Sequence, residues 1–226
     1  MIDIDCMDSK GKGKFITLEG GEGVGKSTQA RLLAERLSNL KQRVKITREP
    51  GGGVIGEQIR EILKRNSVGL DSICEILLLF AARRDHFVNL ISPWLERGYF
   101  VICDRFYDSS LVYQGLLKEI AIEDIMKLKR MAIGSFEPDL TFVLDVNTDV
   151  SLQRARSRRL LNDEYDQMSQ RKYDIVRNGF RKIADIFSFR AVLINAEGSE
   201  KAVFSRVWKA FEKRIGIAPV EVKKIV

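Results

Sequence analysis

Lys26 and Ser27 close a glycine-dense stretch, Gly20-Gly21-Glu22-Gly23-Val24-Gly25-Lys26-Ser27-Thr28. From Gly20 to Ser27 the spacing fits G-x-x-x-x-G-K-[ST]. Those residue types suit a phosphate cradle. Glycines let the backbone wrap a polyphosphate closely with its N–H groups aimed inward, and a following helix presents its positive end. Lys26 adds a mobile cation for the outer phosphates, and the Ser27 hydroxyl is placed to ligate Mg²⁺.

Further candidates follow other apolar runs. After residues 43–47 comes Arg48-Glu49-Pro50-Gly51-Gly52-Gly53. After 99–103 comes Asp104-Arg105, with Tyr107, Ser109, Ser110 and Tyr113-Gln114-Gly115 downstream. Arginines also cluster at Arg83-Arg84 and between Arg154 and Arg159. Guanidinium forks, a carboxylate and hydroxyls beside a phosphate loop are the groups that phosphoryl transfer needs.

Such residues must be held by a rigid frame. Short β-rich runs at 15–18, 43–47, 99–103, 140–146 and 191–194 alternate with helical patterns. That alternation predicts an α/β fold: a five-stranded parallel sheet covered by helices on both faces. In such sheets ligands collect beyond the carboxyl ends of the strands, where the candidates lie. Ala30, Leu33, Ala34 and Leu37 give the helical period that must follow a phosphate loop. A long helix is expected over 71–91, with Ile73, Ile76, Leu77, Phe80, Ala81, Phe87, Val88 and Ile91 on one stripe. Arg84, four residues after Phe80, shares that face and reads as ligand-facing. Asp145 ends the fourth strand, and Thr148 can cap the helix that carries Arg154, Arg156, Arg158 and Arg159. That basic helix end, leading into the mixed-charge stretch 160–167, reads as a lid.

Bulk properties agree. With 226 residues, 45% hydrophobic and 31% charged, one domain is expected, with an N-terminal tail over 1–13, a lid near 155–170 and a C-terminal tail over 216–226. No stretch approaches the about 18 apolar residues of a membrane span, and the first residues lack a secretory core, so a cytoplasmic protein is expected. Cys6, Cys74 and Cys103 have no metal-ligand spacing, and the single histidine, His86, excludes a multi-histidine metal site. A net charge of +7 without an interleaved aromatic stripe favours small anionic substrates over nucleic acid.

Together these stretches resemble the bacterial thymidylate kinases. The matching pieces are FITLEGGEGVGKST, TREPGG, LLFAARRDH, CDRFYDSSLVYQG, PDLTFVLDV and RARSRR. The resemblance implies a P-loop NTPase three-layer sandwich with a small arginine-rich lid, a homodimer, and transfer of a phosphoryl group from ATP to dTMP with Mg²⁺. It assigns Gly20 to Thr28 to the ATP phosphates, with Ser27 and Asp104 near the metal. It places Glu22 at the sugar 3′-hydroxyl, Arg48 on the dTMP phosphate, and Asp104 and Arg105 at the reacting centre. Ser110 and Gln114 resemble base- and sugar-facing groups, and Phe80 the ring that stacks on thymine. For the arginine beside Phe80, the family's spacing of four selects Arg84 and the RRDH register selects Arg83; the helix-face reading leans to Arg84. Like relatives without an arginine inside the P-loop, this chain is expected to supply one from its lid, Arg158 among Arg154, Arg156 and Arg159. It departs from many relatives in carrying Glu164 where the lid has an arginine. Competing expectations are another nucleoside monophosphate or deoxynucleoside kinase, or a DNA-binding P-loop ATPase.

Overall fold

The five apolar runs pair into one sheet in the computed structural model of the chain, which describes residues 13–65, 69–157 and 169–216. Strands β1 (Lys14–Glu19), β2 (Val44–Arg48), β3 (Phe100–Asp104), β4 (Leu140–Asp145) and β5 (Ala191–Asn195) lie in the order β2-β3-β1-β4-β5. Every pairing is parallel, as expected. The second and third strands run one residue further than their sequence patterns, which brings Arg48 and Asp104 into the sheet.

Pleating explains the two apolar layers. Ile16 and Leu18 point to one face with Ile102, Phe142 and Leu144, under helices α1 (Lys26–Asn39) and α9 (Glu200–Arg214). Phe15 points to the other with Val101, Cys103 and Val143. That second face carries α3 (Ser72–His86), α6 (Ile122–Ile133) and α8 (Gln170–Ile186). With both faces covered, the inner strands β1, β3 and β4 are buried along most of their length, whereas the edge strands β2 and β5 stay partly exposed.

The topology also fixes where a ligand can sit. From β1 the chain crosses to β2 on one flank, and from β3 it crosses to β4 on the other. The crevice between the ends of β1 and β3 is therefore the switch point of the sheet. Register places Leu18 and Arg48 on either side of Asp104, so the three strand ends finish level.

Two local expectations need correction. The helix expected over 71–91 starts where Asp71 accepts hydrogen bonds from Ile73 N (2.9 Å) and Cys74 N (3.0 Å). It then loosens into a π-helical turn, π1 (Phe87–Ile91), before α4 (Ser92–Glu96). Ile73 and Leu77 are not buried; they are 53% and 51% exposed. Around a helix Leu77 lies about 100° from Ile76, so it falls on the flank of the buried line and not on its centre. At α7 (Thr148–Ser157) the cap is Asn147, whose Oδ1 accepts from Asp149 N at 3.0 Å, while the Thr148 hydroxyl donates to Asp174 at 2.6 Å. Among the described residues no helix is long and apolar enough to cross a membrane.

Close packing shows at Gly179 in α8. A Cβ there would stand 2.8 Å from Leu116 and 2.9 Å from Val112, both on the π-helical segment π2 (Leu111–Leu117) that follows the short helix α5 (Tyr107–Ser110). A mid-helix glycine is ordinarily unfavourable, and here it permits the approach of α8 to the site-bearing segment. Gly179→Val is expected to lower unfolding free energy by about 1–3 kcal/mol in a urea titration; an unchanged midpoint would contradict this packing.

Candidate active site

β1 delivers the phosphate loop to the switch point. Gly20, Gly23 and Gly25 take positive φ of 138°, 72° and 101°. At Gly20 a side chain is excluded as well as strained, since a Cβ would lie 2.6 Å from the Leu144 carbonyl oxygen. Lys26 spans the loop and donates from Nζ to the carbonyls of Gly20 (3.0 Å) and Gly21 (2.6 Å). Burial, aided by the charge of Arg105, pushes its pKa down to about 8. The Ser27 hydroxyl donates to Asp104 Oδ2 at 2.5 Å. A hydroxyl and a carboxylate side by side are hard oxygen donors. They fit a Mg²⁺ ion that takes one or two protein oxygens and fills its sphere with water and phosphate. Among the described residues no cluster of three or more His, Cys, Asp or Glu forms a metal cage.

Beyond β3 the chain turns sharply at Arg105, a non-glycine residue with φ of 72°. Its amide donates to the Leu18 carbonyl at 3.0 Å, so β1 itself holds the turn. The guanidinium pairs with Glu22 of the phosphate loop and donates to the Gly20 carbonyl (3.1 Å), Ser109 Oγ (3.1 Å) and Tyr113 Oη (3.3 Å). Burial opposes the charge on Glu22, but Arg105 and Lys26 outweigh it and hold the carboxyl below its usual range. A partly buried guanidinium with four partners cannot wander, and persistence of a left-handed arginine needs that many restraints.

Glu19 underlies this turn. Fully buried, it accepts from Phe106 N and from Ser109 Oγ, each at 2.6 Å. Burial and the nearby charge of Asp108 push its pKa up to about 8. On the other side of α5, Arg190 grips both oxygens of Asp108 at 2.8 Å and donates to Thr141 Oγ1 (2.8 Å) and Tyr107 Oη (2.7 Å). The turn that presents Arg105 is thus bolted to both β1 and β4.

A second constellation lies on α3. Arg83 is only 3% exposed; its guanidinium sits 4.5 Å over the Phe80 ring, donates to Glu49 Oε2 at 2.7 Å and reaches Ser110 Oγ at 3.3 Å. Glu49 also binds His86 Nδ1 at 2.9 Å, and His86 Nε2 lies 2.7 Å from Thr47 Oγ1. Burial works against the Glu49 carboxylate, yet Arg83 and His86 keep its pKa low. The preference for Arg84 is overturned: its Nη1 donates to the Ala132 carbonyl at 3.0 Å, away from Phe80 and Ser110. The reason is angular. Around α3, Arg83 lies about 20° from the buried Ile76 line and Arg84 about 80°, although both neighbour Phe80. Arg48, half exposed beside Asp104, is held by Glu57 of α2 (Val54–Arg65) at 2.9 and 3.0 Å. Gln114 and Ser110 are buried in α5 and π2.

Of the residues expected from sequence, the P-loop residues, Asp104 and Arg105 meet at the switch point, and Phe80, Arg83 and Ser110 meet beside it. Arg154 is described and reaches the Ala196 carbonyl at 3.4 Å. It borders a groove with Gly23, Gly25, Thr28, Ala196 and Ser199. Arg158, Arg159 and the lid stretch lie outside the described residues, as does the side chain of Arg156. Sequence reading included Glu49 and Tyr113 in its candidate stretches without a role, and gave no site place to Glu19, His86 or Ser151, whose hydroxyl donates to the Glu22 carbonyl at 2.5 Å. One signal was present: Glu75, Arg83 and His86 place polar groups on the buried side of an apolar helix.

A parallel α/β sheet whose central strand feeds a glycine-lined phosphate loop, with a carboxylate and arginine on the next strand end, defines a P-loop nucleotide-handling enzyme. The comparisons narrow the class. The profile of the family described as thymidylate kinase matches residues 18–207. A thymidylate kinase of Bradyrhizobium sp. (strain ORS 278) is 42% identical over 95% of this chain and 96% of its own, and that of Nitrobacter winogradskyi is 44% identical over 90% of each. The crystal structure of thymidylate kinase from Ehrlichia chaffeensis superposes with a TM-score of 0.72 at 36% identity, covering 88% of this chain and 98% of that one. The chain belongs to the thymidylate kinase family.

Glu19 supplies a test of the site's electrostatics. The folded chain keeps its proton to about pH 8, whereas the unfolded chain releases it near the ordinary 4.5. Between those values the folded state binds more protons, so stability falls as pH rises from about 5 to about 8. Glu19→Gln removes this loss. The melting temperature of the variant is expected to gain on wild type across that window, and a pH-independent difference would contradict the assignment.

Proposed function

We propose that this chain is a dTMP kinase that carries the γ-phosphoryl group of ATP in line to the 5′-phosphate of dTMP, giving dTDP for thymidine nucleotide biosynthesis. The observation that carries the reading is Arg105, whose Nη2 is held both by Glu22 of the phosphate loop and by Tyr113, which also reaches Glu22. The next residue, Phe106, lies 5.6 Å under the Arg83 guanidinium, which also covers Phe80, so one turn links the phosphate loop to that aromatic and guanidinium pair.

Each residue then has physical work. Amides of the Gly20 to Ser27 loop and the start of α1 take the donor phosphates. Lys26 exchanges its loop carbonyls for phosphate oxygens. Arg48 clamps the acceptor phosphate with its planar fork, leaving Glu57. Phe80 offers a ring face to thymine, while Arg83 and Ser110 offer polar groups beside it. Glu22, held ionised, accepts the sugar 3′-hydroxyl. Bound at Ser27 and Asp104, Mg²⁺ would neutralise the transferring phosphoryl oxygens. Arg105 lies where charge develops between the two nucleotides, and a lid arginine, Arg154, Arg156, Arg158 or Arg159, adds to it. Two polyanions are brought together chiefly by neutralisation and alignment.

The exposed apolar side chains Ile73 and Leu77 on α3 support a homodimer formed through that helix. A cytoplasmic setting fits the same reading. Turnover in a coupled assay with ATP and Mg²⁺ is expected to be fastest with dTMP among dTMP, dCMP, dAMP and dGMP. Equal rates across the panel, or none with dTMP, would contradict the function.

A further inference from the structure

Behind Gln114 lies a charged pair that the phosphoryl-transfer reading leaves unused. Glu75, 6% exposed on α3, accepts from Gln114 Nε2 at 2.7 Å through Oε1 and from Lys118 Nζ at 2.5 Å through Oε2. Gln114 is itself 3% exposed, and it follows Ser110 by one helical turn. Ser110 in turn meets Arg83, which covers Phe80. Gln114 and Ser110 therefore belong to one wall, and Glu75 stands behind it.

A carboxamide has two faces of opposite character, an acceptor oxygen and a donor nitrogen. Which of them a ligand meets depends on what holds the other. Glu75, ion-paired with Lys118, offers only acceptors to Gln114. We propose that Glu75 is a specificity-determining positioning residue, fixing the Gln114 carboxamide with Nε2 inward and Oε1 toward the nucleobase. The acceptor so presented matches a pyrimidine whose ring nitrogen N3 carries hydrogen, as in thymine. It opposes one whose N3 carries a lone pair, as in cytosine. The inference rests on the placement of the base beside Phe80 and Arg83 under the proposed function.

Glu75→Gln reverses the arrangement without changing side-chain size. Lys118 can only donate, so it claims the new amide oxygen and leaves a donor nitrogen facing Gln114. Gln114 must then turn its oxygen inward and its nitrogen toward the base. The readout is the ratio of kcat/KM for dTMP to that for dCMP, measured on the full-length enzyme. In Glu75→Gln this ratio is expected to fall at least ~10-fold, through a raised KM for dTMP with kcat held within about twofold. Adding Lys118→Met frees the introduced amide oxygen to accept from Gln114 again, and is expected to restore much of the ratio. Global weakening of the fold does not move a ratio of substrates in this way. If the wild type prefers dTMP and the ratio in Glu75→Gln stays at the wild-type value, the role of Glu75 is overturned. A fall that Lys118→Met does not reverse also overturns it. If the wild type shows no preference for dTMP, the underlying functional reading fails instead.

Discussion

Phosphoryl transfer between two nucleotides forces like charges together, and a protein that permits it must hold cations in place before the anions arrive. Under the proposed function, this constraint falls on Arg105. Its guanidinium is partly buried at the switch point and its backbone sits in a left-handed conformation. Neither is tolerable alone. The position persists because Glu22 supplies the counter-charge, the Gly20 carbonyl, Ser109 and Tyr113 use the remaining donors, and Leu18 receives the backbone amide. Since Glu22 belongs to the phosphate loop, the same ion pair ties that loop to the turn after β3.

Around that pair the buried polar groups form supports. Glu19 holds the Arg105 turn from beneath, and Arg190 holds α5 through Asp108. Glu49 orients Arg83, His86 orients Glu49, and Thr47 in turn orients His86. Glu75 and Lys118 do the same for Gln114. In a water-poor interior each link is costly when broken, so each fixes its neighbour's direction. Ser151, at the start of the helix leading toward the lid stretch, reaches the Glu22 carbonyl, so that helix root shares the phosphate loop's position.

Much of this was legible in the residue order. Periodic apolar runs and the glycine spacing place the sheet, the loop and the strand-end chemistry, because each is encoded over a few adjacent residues. The supports are not so encoded. Glu19 meets partners near residue 106, Glu49 meets partners near residue 85, and Arg190 meets Asp108 across the sheet. The Arg83–Arg84 choice failed for a related reason. Adjacent residues on a helix both neighbour Phe80, and only the line of burial through Ile76 separates them. Thr148 was a sound capping type, but Asn147 stands one residue earlier and Asp174 claims the hydroxyl.

The central claim is that Arg105 stabilises charge during transfer and does not merely bind nucleotide. Steady-state kinetics of Arg105→Ala with saturating dTMP test it most directly. The account predicts a fall in kcat on the order of 10³-fold or more with a much smaller change in the KM for ATP. A kcat equal to that of the wild type, or a loss confined to KM, would contradict it.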